Sequence, residues 1–345
     1  MLDLLRARKW LTARLLMLIT LVAAVPRIYR GATDHIDFDG YWHVFIAMQD
    51  NWEIFKEEYR ANWHPPLYYL LLKLSLWFGR SALIYRAVSI LAGVAAVFVI
   101  GKIVEKLSLR RATPVVAALA YGFALPSIMV SVEVRSYMLC VFFVLASFYY
   151  FLDTLDGHLH ARARIGFAIF AMCAVASHYS AFFYVSACVL ITAALDARLF
   201  RRPLPERLVL DLATFLPVGG FVALLYYTQV RRFGRASGHL GEFYFAPGVE
   251  SLPAFLLRNA QNLFNSFSPV SIETPRWFMV VLSGLILAAG GTLYLIRHPL
   301  PENTRAAAAV VASVVILGCL VAGGIFGRYP FGASCGSSSS SFRSR

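Results

Sequence analysis

Residues 34–79 read DHIDFDGYWHVFIAMQDNWEIFKEEYRANWHPPLYYLLLKLSLWFG and follow directly after the first apolar segment of the chain. Three acids, Asp34, Asp37 and Asp39, lie close together at its start, although only 19 of the 345 residues are Asp or Glu. Ionisable groups are costly beside a membrane, and where they cluster they often serve binding or catalysis. The stretch therefore indicates a reaction centre at a membrane surface; the alternative is that its acids only keep a loop in water.

The composition is that of an integral membrane protein. Hydrophobic residues make up 59% of the chain, charged residues 15%, and the mean hydropathy is +0.64, whereas soluble domains carry about 25% charged residues. We predict an all-α polytopic membrane protein of about nine transmembrane helices, with interfacial helices in the first external loop. The apolar runs that predict them lie at 15–28, 85–104, 112–131, 136–152, 165–177, 180–195, 208–228, 277–296 and 306–326.

The basic residues orient the chain. Half of its 32 Lys and Arg residues fall in five short loops, at 1–14, 102–111, 153–164, 196–207 and 297–305. These loops share the cytoplasmic side, as the positive-inside rule requires, only if residues 66–79 do not cross the membrane. That segment is apolar, contains Lys73 and is shorter than the roughly 20 residues of a spanning helix. We therefore expect an interfacial or re-entrant helix at the outer surface, within an external loop over 30–84.

The net charge and the cysteine spacing argue against nucleic-acid binding and against a zinc site. The net charge of +13 comes from clusters beside apolar runs, which suits anionic lipid headgroups, so membrane lipids rather than nucleic acid are the expected partners. Of the five cysteines, four lie in apolar runs, and no Cys-x-x-Cys or Cys/His spacing indicates zinc.

Two further motifs are predicted to face outward, Glu133-Val-Arg135-Ser-Tyr137 and Ser177-His178-Tyr179-Ser180. A carboxylate can act as general base on an acceptor, and an arginine fork matches phosphate oxygens, so a donor with a lipid phosphate leaving group would use both. The plainer alternatives stay open: an ion pair at a helix end for Glu133 and Arg135, an interfacial histidine for His178, and an aromatic belt for the nearby Tyr and Trp residues.

Taken in order, these motifs resemble the GT-C glycosyltransferases of the protein O-mannosyltransferase and lipid A aminoarabinose transferase type (glycosyltransferase 39/83-like). In that family an acid opens the first external loop, a Lys/His-Pro-Pro turn with Leu-Tyr-Tyr follows, and a Glu/Gln-x-Arg-x-Tyr turn comes after the third span. The corresponding residues here are Asp39, His64-Pro65-Pro66-Leu67-Tyr68-Tyr69, Glu133-Val134-Arg135-Ser136-Tyr137, His178-Tyr179 and, late in the chain, Arg328-Tyr329. The resemblance runs from about residue 10 to 332, and HPPLYY is its most specific part.

The resemblance implies an inverting transfer of a sugar from a polyprenyl-phosphate donor to an extracytoplasmic lipid, glycan or protein, at the plasma (inner) membrane of a bacterium. It makes Asp39 the base. Because Gly40 stands where the family's second acid usually lies, Asp37 is the runner-up, while Glu133 positions the acceptor or Arg135. The implied substrate-binding residues are His64, Tyr68, Arg135, Tyr137, His178, Arg328 and Tyr329, with Arg135 and Arg328 on the donor phosphate. No cofactor is expected; some relatives bind a divalent cation, for which only His64, His178 and the acids could be ligands.

The resemblance also sets the expected domain organisation. Residues 1–332 form one GT-C-like transmembrane domain, and the serine-rich residues 333–345 are interpreted as the product of a truncation or frameshift, because relatives continue through more membrane. A second hypothesis follows, a non-catalytic remnant or assembly subunit of the same fold. A secondary transporter is a third, disfavoured because the acids lie in an external loop and no inverted repeat is visible.

Overall fold

The computed structural model describes residues 2–61, 64–108, 112–155, 161–199, 204–229, 251–255 and 257–258. The chain divides into two compact units, Met1–Arg232 and Phe233–Arg345. In the second unit, residues 252–255 and 257–258 are helical. The structure says nothing about Arg328, Tyr329 or the tail over 333–345, which lie outside the described residues.

Every secondary-structure element in the described part of the first unit is a helix, which confirms the predicted all-α class. Its helices are α1 (Leu2–Thr33), α2 (Phe38–Ala47), α3 (Trp52–Ala61), α4 (Pro66–Ser75), α5 (Ala82–Leu107), α6 (Thr113–Phe123), α7 (Leu125–Val132), α8 (Tyr137–Thr154), α9 (Ala161–Ser177), α10 (Ala181–Leu199) and α11 (Leu204–Thr228).

Four helical segments are long and apolar enough to cross a bilayer: Trp10–Thr33, Ala82–Leu107, Tyr137–Thr154 and Val209–Thr228. A fifth crossing results if α6 and α7 count as one bent span. These lengths match the roughly 20 residues that a spanning helix needs and indicate an integral membrane protein. Helices α9 and α10 lie on the runs predicted at 165–177 and 180–195. Two further runs, 277–296 and 306–326, are outside the described residues, so nine spans and a GT-C bundle stay predictions.

One predicted span, 112–131, is broken in the structure. Helices α6 and α7 are bent by 54° at Ala124, whose backbone is extended. Pro126, at the start of α7, has no N–H to donate to the carbonyl of Gly122, four residues earlier. The break therefore leaves backbone acceptors inside an apolar layer, where each must find another donor.

Arg27 of α1 supplies donors at this break. The buried guanidinium donates from Nη1 to the Gly122 carbonyl at 2.7 Å, from Nη2 to Ser127 Oγ at 2.8 Å and from Nε to Ser131 Oγ at 3.1 Å. A cation is favourable beside the carbonyl end of a helix, because the helix dipole is negative there. Arg27 thus stabilises the broken span from within the bundle.

Helix α5 is the centre of the described bundle and packs against α1, α4, α6, α7 and α8. Its approach to α7 is close at Gly93, where an added Cβ would come within 2.1 Å of Ser131 Oγ. Residues of α2, α4, α5 and α8 form one buried apolar cluster with residues near the turns beside them. This packing attaches the segment after α1 firmly to one end of the bundle.

The predicted interfacial segment 66–79 is helical, as expected. Helix α4 continues into a 3₁₀ turn at Leu76–Phe78 and ends at Gly79, whose φ of 140° suits only glycine. Its Lys73 donates to the carbonyls of Ala47 and Gln49 at 3.2 and 2.6 Å, which fixes α4 to the end of α2. The segment between α1 and α5 is therefore a packed unit of three helices, α2, α3 and α4.

Cysteine labelling tests the orientation of this bundle. In a background without native cysteines, Asp50→Cys should react with an impermeant thiol reagent in intact spheroplasts, since the loop that carries it is predicted to be external. Ser108→Cys, at the opposite end of α5, should react only after permeabilisation. Labelling at position 108 from outside would contradict the assignment of residues 66–79 as non-crossing.

Candidate functional site

The acidic stretch forms the start of α2. Asp37 is the N-cap of this helix, and its Oδ1 accepts from the backbone N–H of Gly40 at 2.9 Å. Asp39 follows in the first turn. Both carboxylates are stabilised at this position, because the N-terminus of a helix presents unpaired N–H groups and a positive dipole.

Arg135 joins the two acids. This residue lies in the turn between α7 and α8, and its Nη2 donates to Asp37 Oδ2 at 2.9 Å and to Asp39 Oδ2 at 2.6 Å. The arginine side chain is 13% exposed, whereas the two aspartates are 55% and 56% exposed. The cluster carries two acids and one cation, with the acids open to solvent and the arginine beneath them.

Gly40 permits this arrangement. An added Cβ at position 40 would come within 2.7 Å of Asp37 Oδ1, 2.8 Å of Ile36 Cγ2 and 3.3 Å of Val134 Cβ. The missing side chain therefore lets α2 lie directly against the turn that carries Arg135. A second acid at this position, which the family resemblance would place there, does not fit unless the side chains of Asp37 and Ile36 move.

Three histidines extend from this cluster into the loop. The ring centroids of His43 and His64 are 5.4 Å apart, those of His64 and His178 are 5.8 Å apart, and His178 lies 5.4 Å from the ring of Tyr137. Tyr137 is next to Arg135 in space as well, because the guanidinium lies 5.9 Å from its ring. The row connects α2, the His-Pro-Pro turn, α8 and the turn between α9 and α10.

Burial sets the protonation of this row. It lowers the pKa of His43 and of His178 to about 4 each, and the pKa of His64 lies well below its usual 6.5 for the same reason. The positive Arg135 adds to the effect on the pKa of His43. All three rings are therefore neutral at pH 7, and each has one ring nitrogen that can accept a hydrogen bond. His43 Nδ1 lies 2.7 Å from the hydroxyl of Tyr69.

The histidine row predicts acid sensitivity. The unfolded chain binds protons near pH 6.5 and the folded chain only near pH 4, so stability should fall as the pH falls through this window and level off below it. For His43 or His178 the shift corresponds to at most about 3 kcal/mol. Thermal unfolding in detergent between pH 7.5 and 4 measures the effect.

Single replacements identify the groups responsible. His43→Gln and His178→Gln should flatten the pH dependence, while His35→Gln, at an exposed position in the same loop, serves as the control. An unchanged slope in both of the first two variants would show that the row does not control acid stability.

Tyr68 and Glu133 are two further predicted site residues that lie near Arg135. Tyr68 is 1% exposed, and burial raises the pKa of its phenol well above 10. Glu133 lines an open pocket of about 180 Å³ together with Asp34, Asp37 and Arg30. Arg30 and Asp34 form an ion pair of 2.7 Å in its wall. The pocket adjoins the cluster at Asp37.

The structure thus brings together the predicted site residues that it describes. They are Asp37, Asp39, His64, Tyr68, Glu133, Arg135, Tyr137 and His178. The other two, Arg328 and Tyr329, lie outside the described residues. Among the ranges described, no three His, Cys, Asp or Glu side chains converge as metal ligands would.

Two residues of this region were missed by the sequence analysis. His43 lies four residues after Asp39 on the same face of α2, and this spacing could have signalled it. Arg86 lies inside an apolar run, and a charge within a predicted span was the available signal. Both are buried, with exposures of 5% and 2%.

Comparison with known proteins adds no assignment to this geometry. No family model matches the chain, and no curated protein matches it either.

Proposed function

We propose that the protein is a membrane glycosyltransferase that moves a sugar from a polyprenyl-phosphate donor to an extracytoplasmic acceptor. The observation that carries this proposal is the contact of Arg135 with both Asp37 and Asp39 at the end of an apolar helical bundle. A base and a phosphate-binding cation are the two groups that such a transfer requires, and here they are in direct contact.

The contacts favour Asp39 over Asp37 as the base. Asp37 uses Oδ1 to cap α2 and Oδ2 to bind Arg135. Asp39 uses Oδ2 for Arg135, and none of the hydrogen bonds in the described ranges involves its Oδ1. An acceptor hydroxyl or amine can therefore approach Asp39 Oδ1 without uncapping the helix, and this oxygen takes the proton as the acceptor attacks the sugar.

Besides contacting the two carboxylates, Arg135 is proposed to bind the phosphate of the sugar donor. Its Nη2 donates to both carboxylates. A phosphate that enters beside two carboxylates is repelled unless a cation turns towards it, and Arg135 is the guanidinium beside both acids. One cation does not balance two acids and a phosphate, so donor binding would require a second cation.

The aromatic and histidine side chains complete the proposed site. His64, Tyr137 and His178, which are partly buried, and Tyr68, which is fully buried, form an aromatic wall next to Arg135. Neutral rings exclude water from a developing charge and can stack against a sugar. This environment strengthens the interaction of Arg135 with a leaving phosphate.

Purified protein in proteoliposomes tests the proposal. Polyprenyl-phosphate sugars are added as a mixture, together with an extract of cell-envelope acceptors. The donor lipid that the protein uses should be consumed, and free polyprenyl phosphate should be detected by mass spectrometry. Cells that lack the gene should accumulate the donor, which would identify the sugar. Uptake of solute without release of polyprenyl phosphate would indicate a transporter, and neither outcome would indicate the non-catalytic remnant.

A further inference from the structure

We propose that Arg86 is a positioning residue that holds the two segments carrying the acids and Arg135 at a fixed separation; this inference rests on the proposed function. Arg86 lies in the second turn of α5 and is 2% exposed. It touches neither carboxylate in the described hydrogen bonds and donates only to backbone carbonyls.

The guanidinium of Arg86 contacts both sides of the site. Nη1 donates to the carbonyls of Gly31 and Asp34 at 2.8 Å each, and Nη2 donates to that of His35 at 2.9 Å. Nε donates to the carbonyl of Val132 at 2.6 Å. The first three acceptors precede Asp37 in the chain, and the fourth precedes Arg135.

Backbone carbonyls, rather than a carboxylate, stabilise the buried cation of Arg86. Gly31 lies in the last turn of α1, and Val132 is the last residue of α7. The carbonyls at the end of a helix lack partners within the helix and carry the negative end of its dipole. Arg86 satisfies acceptors from two helix ends at once, which a neutral side chain with fewer donors cannot do.

Helix α5 also makes a direct hydrogen bond to the turn that carries Arg135. Ser89, one turn after Arg86, donates from Oγ to the carbonyl of Arg135 at 3.1 Å. One helix face therefore fixes the backbone before the acids and the backbone of the arginine that binds them. The 2.6 Å distance between Arg135 and Asp39 depends on this common support.

Arg27 provides a matched control. It is also a buried arginine that donates to carbonyls and hydroxyls, but its partners lie on α1 itself and on α6 and α7 rather than in the acidic loop. Loss of either guanidinium should cost stability. Only loss of Arg86 should alter the acidic loop.

Hydrogen exchange tests the positioning without any need for activity. In full-length protein in nanodiscs, Arg86→Gln should raise exchange in peptides covering 34–39 and 132–136. Arg27→Gln should raise it around 122–128 and leave 34–39 unchanged. Arg86→Lys, which keeps the charge and three of the donors, should be intermediate and covers the case in which the glutamine variant does not fold. Unchanged exchange over 34–39 in both Arg86 variants would overturn the proposal.

Transfer kinetics provide the second readout. Arg86→Gln should lower kcat roughly 10–100-fold, the effect of a small misplacement of reacting groups, with partial rescue in Arg86→Lys. If Arg86 acts through Asp39, the same change should add little in an Asp39→Asn background. An equal loss in both backgrounds, or an equal loss in Arg27→Gln, would assign Arg86 a general structural role and overturn the proposal. Absence of transfer by the wild type would instead contradict the proposed function and leave the exchange result to decide on Arg86.

Discussion

Asp39→Asn is expected to lower the rate of sugar transfer by roughly 10²–10⁴-fold, the usual contribution of a general base. The replacement keeps the shape of the side chain and removes the oxygen charge that would take the acceptor proton. Binding of the donor lipid should change far less, because the proposed donor contact is Arg135. Single-turnover measurements with preloaded donor separate the chemical step from binding.

The neighbouring acids serve as controls for this variant. Asp50→Asn, at an exposed position after α2, should leave transfer unchanged. Asp34→Asn should be mild, since this carboxylate pairs with Arg30 at 2.7 Å. Asp37→Asn should keep the cap of α2, because asparagine caps a helix about as well as aspartate, and should lower transfer less than Asp39→Asn. A loss of transfer confined to Asp37→Asn would move the role of base to Asp37, and equal rates in wild type and Asp39→Asn would exclude Asp39.

The sequence predicted the helical class and most of the described spans, because long apolar runs have few other structures in a bilayer. It did not predict the break at Ala124. The run over 112–131 is apolar throughout, and a proline near the middle of a span can either kink a helix or end it. The packing of α1 decides between these outcomes, since Arg27 contacts both sides of the break.

The helices of the acidic loop could also be predicted only in part. The sequence predicted interfacial helices in this loop and located one of them, over 66–79, from its apolar pattern, but it gave no bounds for α2 and α3. Asp37 before an amphipathic segment is a plausible cap in many sequences. What makes it one here is the fit of Gly40 against Val134, a contact between residues far apart in the chain.

The pairing within the candidate site could not be deduced from residue types alone. Arg135 is separated by 98 and 96 residues from Asp37 and Asp39. A single sequence places all three at the outer surface and leaves their distances undetermined. The resemblance to a known family grouped them, and the structure adds the geometry: one nitrogen of Arg135 between two carboxylates, with α5 supporting both sides.

Arg135→Gln is expected to lower transfer by roughly 10²–10³-fold, the loss typical of a group that stabilises developing charge, and to raise the KM for the donor as well. This second effect distinguishes it from Asp39→Asn. The two carboxylates would lose their common cation, so a phosphate would meet uncompensated negative charge from Asp37 and Asp39. Arg135→Lys should recover part of the donor binding, because it keeps the charge but not the planar fork.

Steady-state kinetics over a range of donor concentrations, with folded yield checked by size exclusion, measure both effects. Arg80→Gln is the matched control, since Arg80 is an exposed arginine in the turn before α5. Salt adds a further check: exposed ion pairs weaken at high ionic strength, so donor binding to the wild type should fall with salt more steeply than binding to Arg135→Gln. If Arg135→Gln bound the donor as well as the wild type at every salt concentration, Arg135 would not be the phosphate ligand, and its only role would be to hold Asp37 and Asp39 together.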